Sequence, residues 1–284
     1  MNMTKTQKAL VCILSVLLCI SMTLCISLYR ATRINPNQMD ITYISLDDEK
    51  IPKDMKDQSI AFFTDLEYGT YQNKKRTKKF FKELKHLNPD ILLIGGDLFD
   101  QSYMPSEEEI QYIIQSLQGI TAPLGKFAVF GEQDVFSSER KQIVERIYQE
   151  SEVEVLNNQN HSISNTSMPS IHVIGMSTNP SWNQALSSIR EDEFNILLCH
   201  MPDFLLSHEL NHMPIDYALA GHSHGDQISI PIKGGYKSIK GAKQMNRNNS
   251  EKVPFDYHIS SGVGCVDVDA RLRSTPEIVY ILLS

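Results

Sequence analysis

The sequence contains a series of short apolar runs, each of which ends in an acidic or histidine side chain. The side chains that end these runs are Asp65, Asp97, Glu132, His200 and His222. Between the runs, apolar residues recur with helical spacing, as in residues 74–87 and 107–118. Strands that alternate with helices predict an α/β protein built on a sheet. Because such sheets bind ligands at the carboxyl ends of their strands, we expect the polar ends to meet in one cleft.

Residues 9–29 form an apolar segment without charge, proline or glycine, long enough as a helix to cross a bilayer. A cleaved signal peptide is the alternative, but its apolar region is normally shorter and ends at a small-residue cleavage site. We therefore predict an uncleaved, single-pass membrane anchor. Lys5 and Lys8 precede the segment, and Arg30 and Arg33 follow it, so flanking charge leaves the orientation open. The very short N-terminal tail favours an extracytoplasmic domain.

The rest of the chain has the composition of one large globular domain, since the whole sequence is 41% hydrophobic and 21% charged. The predicted division is residues 1–8 as a tail, 9–29 as the anchor, 30–56 as a linker and first strand, and 57–284 as the catalytic domain. A net charge of −7 argues against a nucleic-acid partner, and the basic run at residues 74–79 is interpreted as a solvated helix face. The sequence does not indicate an oligomeric state.

The strand ends supply a set of metal-ligand candidates. Asp65 and Glu67 are two residues apart, as are His222 and His224, so an extended backbone directs each pair to one side. The full set of seven donors is Asp65, Glu67, Asp97, Glu132, His200, His222 and His224. Mixed oxygen and nitrogen donors suit Mn, Fe or Zn. Seven donors exceed one tetrahedral site and predict two metal ions that share a bridging carboxylate.

These donors stand in five blocks whose order and spacing match a known pattern. The blocks are residues 65–67 (DLE), 96–100 (GDLFD), 131–134 (GEQD), 200–202 (HMP) and 221–227 (GHSHGDQ). They resemble the blocks D-x-H, G-D-x-x-D, G-N-H-D/E, H-x-P and G-H-x-H-G-G-Q of the calcineurin-like metallophosphoesterases, in their membrane-anchored bacterial branch. The resemblance covers roughly residues 57–284. It implies an α/β fold in a four-layer sandwich, with two mixed β-sheets flanked by helices, after one N-terminal transmembrane helix.

The resemblance also implies how the donors are shared between two metal ions. One ion would be held by Asp65, Glu67 and His224. The other would be held by Glu132, His200 and His222, with Asp97 bridging the pair. The implied reaction is hydrolysis of a phosphomonoester, phosphodiester or pyrophosphate by water activated at the metals. The implied partner is a phosphate-ester substrate, lipid-linked if the membrane anchor determines its location.

Three replacements in these blocks change the predicted chemistry. Glu67 stands where the family has a ligand histidine, Glu132 where it has a ligand asparagine, and Gln133 where a histidine faces the phosphate. The first two replacements keep a donor but raise the site to four carboxylates, whose charge cancels that of two divalent cations and weakens electrostatic stabilisation of the transition state. Gln133 can donate a hydrogen bond but cannot act as a general acid. Asp226 also replaces a glycine.

Two functions therefore remain open from the sequence. The first is a membrane-tethered, metal-dependent phosphoesterase with Asp97 and Gln133 as catalytic candidates. The second is a pseudoenzyme that binds metal or phosphate without turnover and acts as a sensor or scaffold. Because all seven ligand positions keep a competent donor, we favour the enzyme.

Overall fold

The computed structural model describes residues 4–164, 170–230, 233–246 and 250–284. Its helices are α1 (Lys5–Tyr29), α2 (Lys74–Leu87), α3 (Glu107–Gln118), α4 (Ser138–Glu150) and α5 (Trp182–Ala185). Its strands are β1 (Asp40–Leu46), β2 (Ser59–Phe63), β3 (Ile91–Ile94), β4 (Lys126–Ala128), β5 (Glu154–Val155), β6 (Gln159–Ile163), β7 (Ile171–Met176), β8 (Phe194–Cys199), β9 (Tyr217–Ala220), β10 (Ser229–Ile230), β11 (Gly234–Gly235), β12 (Asp256–Ile259) and β13 (Glu277–Leu283).

Two multistrand sheets form the centre of the fold. The first has the order β1-β13-β2-β3-β4-β5, and the second has the order β12-β9-β8-β7-β6. Both are mixed, because β13 is antiparallel to β2 and β6 is antiparallel to β7, whereas the other neighbours are parallel. The predicted fold class, two mixed sheets flanked by helices, is confirmed.

The layers follow from the alternation of side chains along each strand. In β2, Ala61 and Phe63 pack towards α2, α3 and α4, whereas Ile60 and Phe62 pack against the second sheet. The outer face of the second sheet is covered by α5 and by two short 3₁₀ turns that carry Leu205 and Leu210. Because both faces of the central strands are buried, their sequences are continuous apolar runs rather than alternating ones.

The helices predicted at residues 74–87 and 107–118 are confirmed. Asn73 caps α2, and Ser106 forms a capping box at the start of α3. Within the two large sheets, the structure adds two strands that the sequence did not reveal, β6 and β12, and outside them it adds the short pair β10 and β11. Strands β6 and β12 are edge strands with mostly polar, partly exposed sequences, so they lack the apolar signal of a central strand.

Helix α1 has no buried residue, and its apolar side chains are exposed along its length. Together with the turns that follow it to Asn37, it is long and apolar enough to cross a membrane. The helix does not end in a free linker, because the Arg271 backbone N–H donates to the Ala31 carbonyl and the Asn35 side chain donates to the Arg271 carbonyl. The end of the helix is thereby held against the domain. The division of the chain at residues 8, 29 and 56 stays a prediction.

Glu277, at the start of β13, connects the two sheets. Its carboxylate accepts hydrogen bonds from Thr42 of β1 and from the Ser261 N–H, and it lies 3.2 Å from His258 Nε2 of β12. Burial alone raises the pKa of Glu277, but these partners, His258 first, lower it to about 2. Because the folded pKa lies below the usual glutamate value of 4.5, the ionised carboxylate stabilises the fold above about pH 4.5.

We predict that Glu277→Gln lowers the free energy of unfolding at pH 7 by about 2 kcal/mol. The difference from the native chain should shrink as the pH falls from about 4.5 to 2, where the native carboxylate becomes protonated. Chemical denaturation of the full chain in neutral detergent measures both values. Glu191→Gln, at an exposed position, is the matched control. A loss that stays constant across this pH range would contradict the assignment.

Candidate metal centre

The seven predicted donors lie together, where strands from both sheets end. Residues that follow β2, β3 and β4 of the first sheet contribute Asp65, Glu67, Asp97 and Glu132. Residues that follow β8 and β9 of the second sheet contribute His200, His222 and His224. The two sheets thus bring acidic groups from one side and imidazoles from the other to a single cleft.

The first group of ligand atoms belongs to Asp65, Glu67 and His224, all of them buried. One atom from each residue lies within 4.8 Å of the others. His224 Nε2 is 3.5 Å from Asp65 Oδ1 and 3.7 Å from Glu67 Oε1. These separations are too long for hydrogen bonds but suit donors arranged around a cation.

The second group belongs to Asp97, Glu132, His200 and His222. His200 Nε2 lies 3.1 Å from Asp97 Oδ2 and 3.0 Å from Glu132 Oε2, and His222 Nδ1 lies 3.0 Å from Glu132 Oε1. The two groups adjoin, because Asp65 Oδ1 of the first lies 3.9 Å from His200 Nε2 of the second. Asp97, which the family resemblance places between the two ions, lies in this second group. The roles of the seven residues stay predictions.

Backbone carbonyls set the orientation of two imidazoles. His200 Nδ1 is 2.7 Å from the Gly95 carbonyl oxygen, and His222 Nε2 is 2.7 Å from the Lys240 carbonyl oxygen. Since a carbonyl only accepts, each of these nitrogens carries a proton and donates it. The opposite nitrogens, Nε2 of His200 and Nδ1 of His222, therefore face the carboxylates. Such outer contacts are the usual means of orienting metal-binding histidines.

The backbone is strained at most of the donor positions. Five of the seven donors have a φ between 49° and 63°, in the left-handed region that residues other than glycine rarely adopt: Asp65, Glu67, Asp97, His222 and His224. Strain of this kind costs free energy and concentrates at functional sites. It allows side chains from sharp turns to converge on one point.

Asp134 holds two of these turns together. Its carboxylate accepts hydrogen bonds from the backbone N–H groups of Asp97, Leu98 and Gly131, at 2.8 to 3.0 Å. Gly131 has to lack a side chain, because a Cβ there would lie 1.9 Å from Asp97 Oδ1. The contacts fix the Asp97 carboxylate beside Glu132, which follows Gly131 directly.

The buried acidic side chains of the cleft favour the binding of a cation. Burial, and then the charges of Asp97 and Asp65, raise the pKa of Glu67 well above its usual value. Burial, with the charge of Glu132 among its neighbours, raises the pKa of Asp97 to about 7 in spite of His200. Four buried or partly buried carboxylates therefore repel one another when no cation is near.

Several buried polar atoms of the cleft have no hydrogen-bond partner, which also favours a bound cation. Glu67 Oε2, Glu132 Oε2, His200 Nε2 and His224 Nδ1 are buried without a partner in hydrogen-bond geometry. The contacts of His200 Nε2 with Asp97 and Glu132 are close in distance but do not meet that geometry. Buried polar atoms rarely remain unsatisfied. The donor set, its charge and its unpartnered atoms fit two divalent cations.

The cleft opens into a cavity of about 430 Å³. Gln133 lines it, held by its backbone N–H, which donates to Asp97 Oδ1 at 2.9 Å. Besides three of the donor carboxylates, Asp100, Asp226 and Asp267 line the cavity. Lys237 is the one lysine or arginine among the described residues that line it, and its Nζ lies 2.7 Å from Asp267 Oδ2.

Sequence reasoning missed Lys237. The resemblance to the family extends to Arg271 and Leu272 in the C-terminal segment, but the motif pattern predicts no role for Arg271. The buried Arg271 guanidinium donates to the carbonyls of His224, Ser261 and Gly264, so it braces the last histidine turn against the C-terminal segment. Neither residue lies at the end of an apolar run, which was the signal for the donors.

Comparison with known proteins decides the family. The profile described as calcineurin-like phosphoesterase matches residues 59–226, more than half of the chain and a range that includes all seven donors. The chain belongs to the calcineurin-like phosphoesterase family. The predicted resemblance is confirmed. Members of this metallophosphoesterase family use divalent metals, and membership supports a hydrolase.

Bacterial members of the phosphoesterase family are similar over most of this chain. The metallophosphoesterase YkoQ of Bacillus subtilis is 27% identical over 89% of this chain and 93% of its own length. YkuE of the same organism is 23% identical over 89% and 88%, respectively. The UDP-2,3-diacylglucosamine pyrophosphatase LpxG of Chlamydia trachomatis is 23% identical over 71% of this chain and 74% of its own.

Proposed function

We propose that this protein is a membrane-tethered phosphoesterase that hydrolyses its substrate at a dinuclear metal site. The observation that carries the proposal is the pair of adjoining ligand groups within the segment that matches the family. Phosphate esters and pyrophosphates are the substrates that such a pair of cations suits, because both oxygens of an in-line displacement need stabilisation.

In this proposal Asp65, Glu67 and His224 would hold one cation, and Glu132, His200 and His222 would hold the other. Asp97 would be shared by both. Asp97 belongs to the second ligand group, and its charge also acts strongly on Glu67 of the first, which supports a position between the two. Mn, Fe or Zn suits these donors. When bound, the cations polarise the phosphate and lower the pKa of water.

Gln133 determines which leaving groups can depart readily at this site. It lies beside Glu132 at the cavity, where its side-chain amide can donate to a phosphate oxygen. It cannot supply a proton to the departing oxygen, so substrates whose leaving group needs none are favoured. Pyrophosphates and activated diesters have such leaving groups. The relative LpxG is by its name a pyrophosphatase, which supports the same substrate class.

Lys237 replaces part of the positive charge that the extra carboxylates cancel. It lines the same cavity as three of the donor carboxylates and is positioned by Asp267. A substrate phosphate that approaches the cations therefore meets an ammonium group. We assign to Lys237 a role in binding the substrate rather than in bond cleavage.

The substrate is proposed to be lipid-linked. Helix α1 could cross a membrane, and its end contacts the domain that contains the cleft. LpxG, by its name, acts on a diacylated sugar nucleotide. A membrane-tethered domain with an acidic, metal-binding cavity suits a phosphate that is carried by an amphiphile. We propose that the domain lies on the extracytoplasmic side.

The first test is hydrolysis by the full chain, purified in neutral detergent and loaded with Mn²⁺. We predict turnover of an activated aryl phosphodiester or of a pyrophosphate. Asp97→Asn should lower kcat by about 10²-fold or more, because it removes the charge between the two cations. Asp192→Asn, at an exposed position, is the matched control and should retain activity.

Two other outcomes are informative. Bound metal without any turnover, in both the native chain and a Gln133→His variant, would favour the sensor or scaffold. Turnover that survives Asp97→Asn unchanged would contradict the assigned site.

A second prediction concerns Lys237. Lys237→Gln should raise KM for a phosphate substrate about tenfold and change kcat little, because it removes a charge-assisted hydrogen bond to the bound phosphate. Steady-state kinetics of the full chain measure both constants. Lys252→Gln, at an exposed position away from the cavity, is the control. A fall in kcat at unchanged KM would contradict a binding role.

A further inference from the structure

A second cavity lies where the apolar helix meets the domain. The last turns after α1 end at Asn37, and α2 begins beside them. Arg76 Nε donates to Asn37 Oδ1 at 2.8 Å, and Lys79 Nζ donates to the Asn37 carbonyl at 2.7 Å. The basic end of α2 is therefore fixed next to the end of the helix that could cross a membrane.

This cavity, the junction cavity, has a volume of about 380 Å³. Its walls come from the turn at residues 36–39, from Gln72 and Val263, and from Lys75, Arg76 and Lys79. Three cationic side chains line it, and none of the described residues in its walls is acidic. The junction cavity is therefore basic, whereas the cavity beside the seven donors, the metal cavity, is acidic. The chain as a whole carries a net charge of −7.

The cations of the junction cavity are not all neutralised by neighbours. Arg76 pairs with Asp269 at 2.6 Å, and Lys79 contacts a neutral carbonyl. Lys75 is exposed, and among the described residues no carboxylate forms an ion pair with it. The sequence indicated a solvated helix face for this basic run. The structure gives that face a specific position, at the junction with α1.

We propose that the junction cavity binds the phosphate of an anionic phospholipid headgroup in the membrane that α1 enters. The inference rests on the proposed membrane anchor. The exposed apolar residues of α1 continue to Leu28 and Tyr29, and Asn37 follows them by roughly 12 Å of helix. The headgroup region extends about 5–7 Å from each side of the hydrocarbon core, so that distance places Asn37 just outside the headgroups, at the membrane surface. Anionic lipids attract basic residues that lie at this depth.

A bound headgroup would also orient the metal cavity. Tyr71 lines the metal cavity, and its neighbour Gln72 lines the junction cavity. Arg76 donates hydrogen bonds to the Tyr71 carbonyl and to the Asp269 carboxylate. A headgroup bound at the junction cavity would contact the same side chain. A lipid phosphate at the junction would thus hold the mouth of the metal cavity at the membrane surface. This arrangement suits a substrate that stays in the bilayer.

The test is lipid binding by the full chain in neutral detergent, measured by native mass spectrometry with added phosphatidylglycerol or phosphatidylcholine. We expect phosphatidylglycerol to bind more tightly. Lys75→Gln should weaken its binding about fivefold, the effect of one lysine near an anionic surface. Lys78→Gln, on the same helix but outside the cavity, should change the affinity by less than about twofold. Lys75→Arg should retain the native affinity.

Several results would overturn the proposal. Equal affinity for the two lipids would show that the charge of the headgroup does not matter. Equal losses of phosphatidylglycerol affinity in the Lys75→Gln and Lys78→Gln variants would show only a general attraction to the basic face of α2. Complete displacement of the lipid by inorganic phosphate at a matching concentration would identify a free anion as the ligand. The measurement needs no turnover, and alkaline extraction of membranes tests the anchor separately. Failure here is therefore distinguishable from failure of the proposed function.

Discussion

Mutual repulsion among four carboxylates in one cleft is the constraint on which the rest of this structure depends. Glu67 and Asp97 have raised pKa values because they are buried and because they face other acids. The protein places three imidazoles among these acids. Two divalent cations would balance the four charges, which explains why donors that repel one another are nevertheless held together.

The fold maintains this unfavourable arrangement through rigid surroundings. Left-handed backbone turns place five donors, Asp134 ties two loops to each other, and the carbonyls of Gly95 and Lys240 orient His200 and His222. The stability that these features cost is offset by the continuous apolar layer between the two sheets. The candidate metal ligands thus follow the strands that form the core of each sheet.

The sequence predicted the central strands, the main helices and the seven side chains that the structure brings together, because burial and metal chemistry leave strong local signals. It did not predict β6 or β12, whose stability comes from pairing with neighbours rather than from apolar content. It also did not predict the roles of Lys237 and Arg271. Their roles depend on contacts with residues 30 and 47 positions away, at Asp267 and His224, and no periodicity records such contacts.

The central claim is that the seven donors form two adjoining cation sites. Anomalous diffraction from crystals of the full chain grown with Mn²⁺ tests it most directly. The account predicts two peaks about 3.5–4 Å apart. One peak should contact Asp65, Glu67 and His224, and the other should contact Glu132, His200 and His222, with Asp97 between them. A single peak, or none in this cleft, would contradict the account.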